Sequence, residues 1–275
     1  MTTIKSLLDR WWVILLGCTL FTLLMLWNFI FPLNAILTDR DYVLQLWNLW
    51  LVNESIIAGQ NPYITDLQYY PVGAHLGRHV LSPGFFPITL LVWLLSNGDI
   101  LYPLYTYKVI ILLSYTLILF FSYLTFRALD INRWGAIIAA TGYTFGNFYM
   151  NHMNRLHIIS AFFIPISAYC VIRLFHKPTL KRAVICAFFL AVGLYFTELI
   201  LFVYMSLLFI IALMIILPRE RQALYGKIAD LGLQPIIISS FTFFVVASLF
   251  IFNWVTSDSL PATSEENYRY SSNLA

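Results

Sequence analysis

Trp11 to Asn34 is one apolar run without a charged side chain, longer than the roughly 20 residues a helix needs to cross a bilayer. Similar runs recur at Tyr102–Phe126, Trp134–Met150, His157–Ile172, Ala183–Tyr195, Leu199–Leu217 and Pro235–Trp254. In hydrocarbon only helices and closed barrels satisfy their backbone polar groups. Apolar runs of this length read as helices, so the expectation is an all-α polytopic membrane protein with about seven transmembrane helices. Composition agrees, since 60% of residues are hydrophobic and 11% charged, with mean hydropathy +0.79. A soluble domain carries about 25% charged residues.

The net charge of +3 is small, and no basic stripe or basic–aromatic interleaving lies in a polar context. Nucleic acid is therefore excluded as an expected partner. Cys18, Cys170 and Cys186 all sit in apolar runs without CxxC spacing and read as small hydrophobes. Leu15-Leu16-Gly17-Cys18 loosely matches a lipobox, but the apolar run continues past Cys18, so a spanning helix is the reading. The same continuation argues against a cleaved leader, whose apolar core is only about 7–15 residues.

Cations set the orientation, because short cytoplasmic loops hold excess Lys and Arg. Arg173, His176, Lys177, Lys181 and Arg182 cluster between two apolar runs and read as cytoplasmic. Counting spans from there puts Arg127–Arg133 and Arg219–Lys227 inside as well, with the N-terminus in and the C-terminus out. Parity requires that Phe85–Leu95, apolar but short, does not cross; it reads as a surface helix. Tyr42–Ala58 is a second surface helix, with Leu44, Trp47, Leu51 and Val52 on one face and Gln45, Asn48 and Glu54 elsewhere. Gly59–Pro71, rich in turn residues and aromatics, reads as an ordered loop. Residues 1–255 form one transmembrane module, residues 35–100 its first external loop, and 256–275 an external segment that looks like the start of a loop.

This topology collects one polar set outside: Asp39 and Asp41, the 59–82 loop with Arg78 and His79, the stretch with His152, Arg155 and His157, and Glu198. For the two aspartates two readings stand: a helix N-cap before Tyr42, or a general base or metal ligand. His152, Arg155 and His157 are either interfacial caps or contacts to a phosphate or metal. Arg78 and His79 invite the same pair of readings. Glu198 reads as a structural cap. Tyr63, Tyr69 and Tyr70 suit either interface anchoring or stacking on a sugar.

The order of these parts resembles the GT-C type of membrane glycosyltransferase, which includes protein O-mannosyltransferases and aminoarabinose transferases. The residues that carry the resemblance are Thr38-Asp39-Arg40-Asp41-Tyr42, Gly59-Gln60-Asn61-Pro62-Tyr63, Tyr70-Pro71-Val72-Gly73 and the Gly146–His157 stretch. The resemblance implies inverting transfer of a sugar from a polyprenyl-phosphate donor on the extracytoplasmic face. It implies an acid of the first external loop as base or metal ligand, here Asp41 ahead of Asp39. It implies lipid-phosphate contacts at Arg78 and His79, and further polar contacts at His152, Arg155 or His157. A divalent metal stays open as a cofactor.

Family members usually continue with more spans or a soluble domain, whereas this chain stops after the seventh run. That departure motivates a rival reading, a non-catalytic accessory or scaffold subunit with partner subunits in a larger membrane complex. A transporter would want mid-span charges and an internal repeat; no repeat is visible.

Overall fold

The computed structural model describes residues 11–35, 40–67, 74–76, 81–196, Gly226 and 233–256. It is helical throughout apart from one short hairpin. In chain order the helices are α1 (Trp11–Met25), α2 (Trp27–Ile30), α3 (Arg40–Ile57), α4 (Phe86–Leu95), α5 (Tyr102–Ala128) and α6 (Arg133–Thr144). There follow α7 (Asn147–Asn151), α8 (Leu156–Ile159), α9 (Phe163–His176), α10 (Leu180–Gly193) and α11 (Leu233–Thr256). Strands β1 (Ile64–Thr65) and β2 (Ala74–His75) pair antiparallel, with Ile64 opposite His75.

The bundle is built on α5. Its first turn holds Pro103, where a missing N–H costs nothing. Residues from Tyr102 to Ser122 are buried on several sides of it, and α1, α3, α4, α6 and α9 all pack against it. The main core gathers Tyr107, Ile110, Ile111, Tyr115 and Ile118 of this helix with Leu26, Tyr42, Leu49, Tyr149, Leu156 and Phe162. A satellite core joins Leu51 and Val52 of α3 to Tyr63, Leu76 and Leu81, so the described parts of the 59–82 loop are fastened to that helix. At the edge, α10 and α11 meet through small residues, Ala191 against Ala247.

Among the described residues, two helices are long and apolar enough to cross a membrane: α5, and α11 over Leu233–Asn253. The expected spans at 11–34, 134–150 and 157–172 are interrupted, while the one at 183–195 lies in a continuous helix, α10, as far as Gly193. α1 and α6 have 15 and 12 residues, and α9 and α10 have 14 each. The interruptions have local causes. Gly146 folds the chain back so tightly that a Cβ there would lie 2.7 Å from the Gly142 carbonyl oxygen, which ends α6. A 3₁₀ turn, Ser160–Phe162, separates α8 from α9. The run at 199–217 and Glu198 lie outside the described residues.

Caps mark the basic turns. Asn132 accepts from the Gly135 amide at 2.8 Å to start α6, and Thr179 accepts from the Arg182 amide to start α10. Arg182 donates to the Arg173 carbonyl at 2.6 Å and the Lys177 carbonyl at 3.1 Å, bracing the α9–α10 turn.

Helices form at both stretches read as surface helices, as α3 and α4, and α3 is buried on more sides than that reading gave it: Leu51 and Val52 join the core, and so do the amides placed elsewhere. Gln45 and Asn53 are 3% and 0% exposed, and Asn48 is equally buried. Val43 and Ile57 are 56% and 46% exposed, while Leu44 also faces outward. The helix buries these amides beside hydrocarbon, since Tyr42, Leu49, Leu51 and Val52 are 0–3% exposed as well. Of these amides, Asn53 donates to the Tyr102 hydroxyl of α5 at 3.4 Å. All three cysteines are free thiols, Cys170 and Cys186 buried, as expected of small hydrophobes.

Candidate functional site

The candidate site lies where α3 begins. Asp41 falls in the first turn of that helix, where backbone N–H groups and the helix dipole favour a carboxylate. Arg155 precedes α8 in extended conformation, and its Nε donates to Asp41 Oδ2 at 3.0 Å. The two are 114 residues apart in sequence. The structure thus unites two residues singled out independently from the sequence, and puts the start of α3 beside the 147–157 stretch. Their side chains are 45% and 44% exposed, so the pair is reachable from solvent. Only Nε of Arg155 is engaged among the described residues, leaving its terminal N–H groups directed elsewhere.

Tyrosines hold this corner in place. Tyr107 donates to the Met153 carbonyl at 2.5 Å, and Tyr115 to the Tyr149 carbonyl at 2.7 Å. The Tyr42 ring, next to Asp41, stands edge-on to Tyr107 with centroids 4.6 Å apart. One helix, α5, therefore fixes both sides of the ion pair. Burial pushes the Tyr42 phenol up to about 12, so it stays neutral and acts as a packing group.

His152 caps α7. Its Nδ1 donates to the Phe148 carbonyl at 2.7 Å, and its ring leans on the Phe148 ring at 4.9 Å. Because a carbonyl only accepts, the neutral ring carries its proton on Nδ1 and its lone pair on Nε2. Of the two sequence readings of this residue, cap or ligand contact, the observed bond is that of a cap. His157 lies on α8. Asp39, Arg78 and His79 lie outside the described residues. Among the described residues no three His, Cys, Asp or Glu side chains converge as a metal cluster. No protein-family model, curated protein or solved structure matches the chain.

Several contributors went unnoticed in the sequence. Lys108, 3% exposed, sits one turn and a half into α5 and donates to the Pro32 carbonyl at 2.5 Å and the Ile30 carbonyl at 3.4 Å. It fastens the exit of α2 to the central helix. A lone lysine near the start of a long apolar run was the available signal. Glu54, Asn53 and Tyr102 form a second link. Tyr102 donates to Glu54 Oε1 at 3.1 Å and accepts from Asn53 Nδ2 at 3.4 Å. Tyr102→Phe removes both bonds in a partly buried place and is expected to cost about 1 kcal/mol. Thermal unfolding in detergent measures it; an unchanged midpoint would mean that the bonds contribute nothing.

Buried polar atoms continue from this link. Tyr42 Oη, Gln45 Oε1, Asn53 Oδ1 and Tyr63 Oη have no hydrogen-bond partner among the described residues. Burial, with a smaller contribution from Tyr195, raises the Tyr63 phenol well above its ordinary value. Polar groups buried this way are ordinarily paired with protein or water.

Proposed function

We propose that the chain is a membrane-embedded glycosyltransferase-like protein of GT-C layout. It takes its sugar from a polyprenyl-phosphate donor on the extracytoplasmic side. The observation that carries the reading is the Asp41–Arg155 ion pair, half-exposed at the head of α3. Asp41 accepts the proton of the acceptor hydroxyl as that oxygen attacks the anomeric carbon. The bond from that carbon to the phosphate oxygen breaks on the opposite face, so the sugar is inverted and the polyprenyl phosphate departs. Arg155 orients the carboxylate, and its remaining N–H groups suit the phosphate. Asp39, Arg78 and His79 stay with this proposal as second acid and phosphate contacts. His152 and His157 stay as polar contacts of the same corner.

Membrane embedding is supported by the split of charge. Arg127 and Arg133 flank the α5–α6 turn, and Arg173, Lys177, Lys181 and Arg182 the α9–α10 turn, a clustering that fits cytoplasmic loops. Single cysteines at Gln60 and at Lys177 are expected to react with an impermeant thiol reagent from opposite sides of sealed vesicles. Labelling of both from one side would remove the topology. For the activity, the purified protein in liposomes is expected to consume a defined polyprenyl-phosphate sugar when a peptide or lipid acceptor is present. A second reading, a non-catalytic subunit, is favoured by α11, whose apolar window is only 6% buried and so offers a long face to a partner. Absence of turnover together with copurification at a fixed ratio with other membrane subunits would decide for it.

A further inference from the structure

We infer that a groove between α1 and α6, at the end of the bundle away from Asp41, binds an anionic phospholipid, with the headgroup on Arg133 and one acyl chain along the helices. The groove has a volume of about 320 Å³, within the range of about 300–1,000 Å³ typical of ligand pockets. It exists because α1 and α6 both pack on α5 and splay apart from one another. Val13, Gly17 and Phe21 form one wall, Ile137 and Thr141 the other, and Leu119 and Tyr123 of α5 the floor. Phe21 meets Phe145 edge-on at 5.7 Å, which closes the end nearer the middle of the bundle. At the other end stands Arg133, half-buried, with no hydrogen bond or ion pair among the described residues.

The dimensions and chemistry fit one occupant. From Arg133 to Thr141 the helix rises about 12 Å, close to one leaflet of a hydrocarbon core about 30 Å thick. An apolar trough one leaflet deep, blocked at the inside and cationic at its mouth, matches an acyl chain topped by a phosphodiester. Guanidinium N–H groups pair with such oxygens bidentately. A Cβ at Gly17 would meet nothing within 4 Å, so the wall is hollow where the chain would lie. This inference rests on membrane embedding but not on sugar transfer, since the groove is remote from the Asp41 corner.

The test uses the full chain purified in detergent and read by native mass spectrometry with phosphatidylglycerol and phosphatidylcholine of matched chains. Wild type is expected to retain phosphatidylglycerol at least tenfold better. Arg133→Gln is expected to erase that preference, and Arg133→Lys to keep most of it. Gly17→Leu, which fills the trough, is expected to lower retention of both lipids; a monodisperse, normally melting protein confirms that the variant is folded. Equal retention of the two lipids by wild type, or an unaltered preference in Arg133→Gln, overturns the inference. Carbonate extraction separates the two claims. A chain that stays in the membrane fraction without headgroup preference sinks only the groove; one released to the supernatant sinks embedding as well.

Discussion

Asp41→Asn is expected to lower sugar transfer by at least a hundredfold while leaving the fold intact. A positioned general base contributes about 10²–10⁴ in rate, and asparagine keeps the shape but cannot take the proton. The stability side of the same substitution is small. Both partners of the ion pair are close to half-exposed, and exposed pairs contribute only about 0.2–1 kcal/mol. A structural role and a catalytic role therefore separate by magnitude. If the pair only fastens α3 to the 147–157 stretch, activity and melting temperature fall together and modestly. If Asp41 takes the proton, activity collapses and melting barely moves. Arg155→Lys adds a control, because lysine keeps the charge but loses the fork that orients the carboxylate. It is expected to lose turnover partly and to affect donor KM more than Asp41→Asn does. Full turnover in both variants, assayed with a defined lipid donor, would remove Asp41 and Arg155 from the proposed chemistry.

What could be read from the sequence follows from which forces act locally. The helical character and the two extra helices at 40–57 and 86–95 were legible because apolar runs and turn residues act over a few neighbours. The pairing of Asp41 with Arg155 was legible only as shared sidedness; charge counting put them in one compartment without predicting contact. The burial of Gln45, Asn48 and Asn53 on α3 was not legible. A helix with mixed composition presents two candidate faces, and the choice depends on what packs against it. Here Tyr102 offers a hydroxyl to Asn53 and Glu54, and that bond comes from a distant segment. Lys108 was missed for the same reason, since its acceptors are backbone carbonyls of residues 30 and 32, which no side-chain pattern announces.

Gly84→Val is expected to be the most destabilising single change among the described residues near the candidate site. A Cβ at Gly84 would lie 2.6–2.8 Å from three ring atoms of Phe196, closer than packed carbon atoms approach. The ring cannot easily retreat, because Phe85, Phe162 and Phe163 surround it with centroids 4.8, 5.6 and 4.9 Å away. The backbone resists too: Gly84 donates to the Tyr195 carbonyl at 3.0 Å. Ser82 and Ser160 both donate to the Phe196 carbonyl, at 3.2 and 2.5 Å. These bonds satisfy carbonyls left open where α10 ends, so moving the 82–84 turn away exposes them while staying put forces overlap. Overpacking of this kind costs about 1–3 kcal/mol, roughly 2–4 °C in melting temperature per kcal/mol for a chain of this size. Phe196→Ala removes the obstructing ring at its own cost in buried surface. The double variant is therefore expected to be more stable than the sum of the two single losses predicts, since neighbours in contact are not additive. Strict additivity, measured by thermal unfolding in detergent, would show that Gly84 and Phe196 do not touch. The 82–84 turn would then be held to α10 by hydrogen bonds alone.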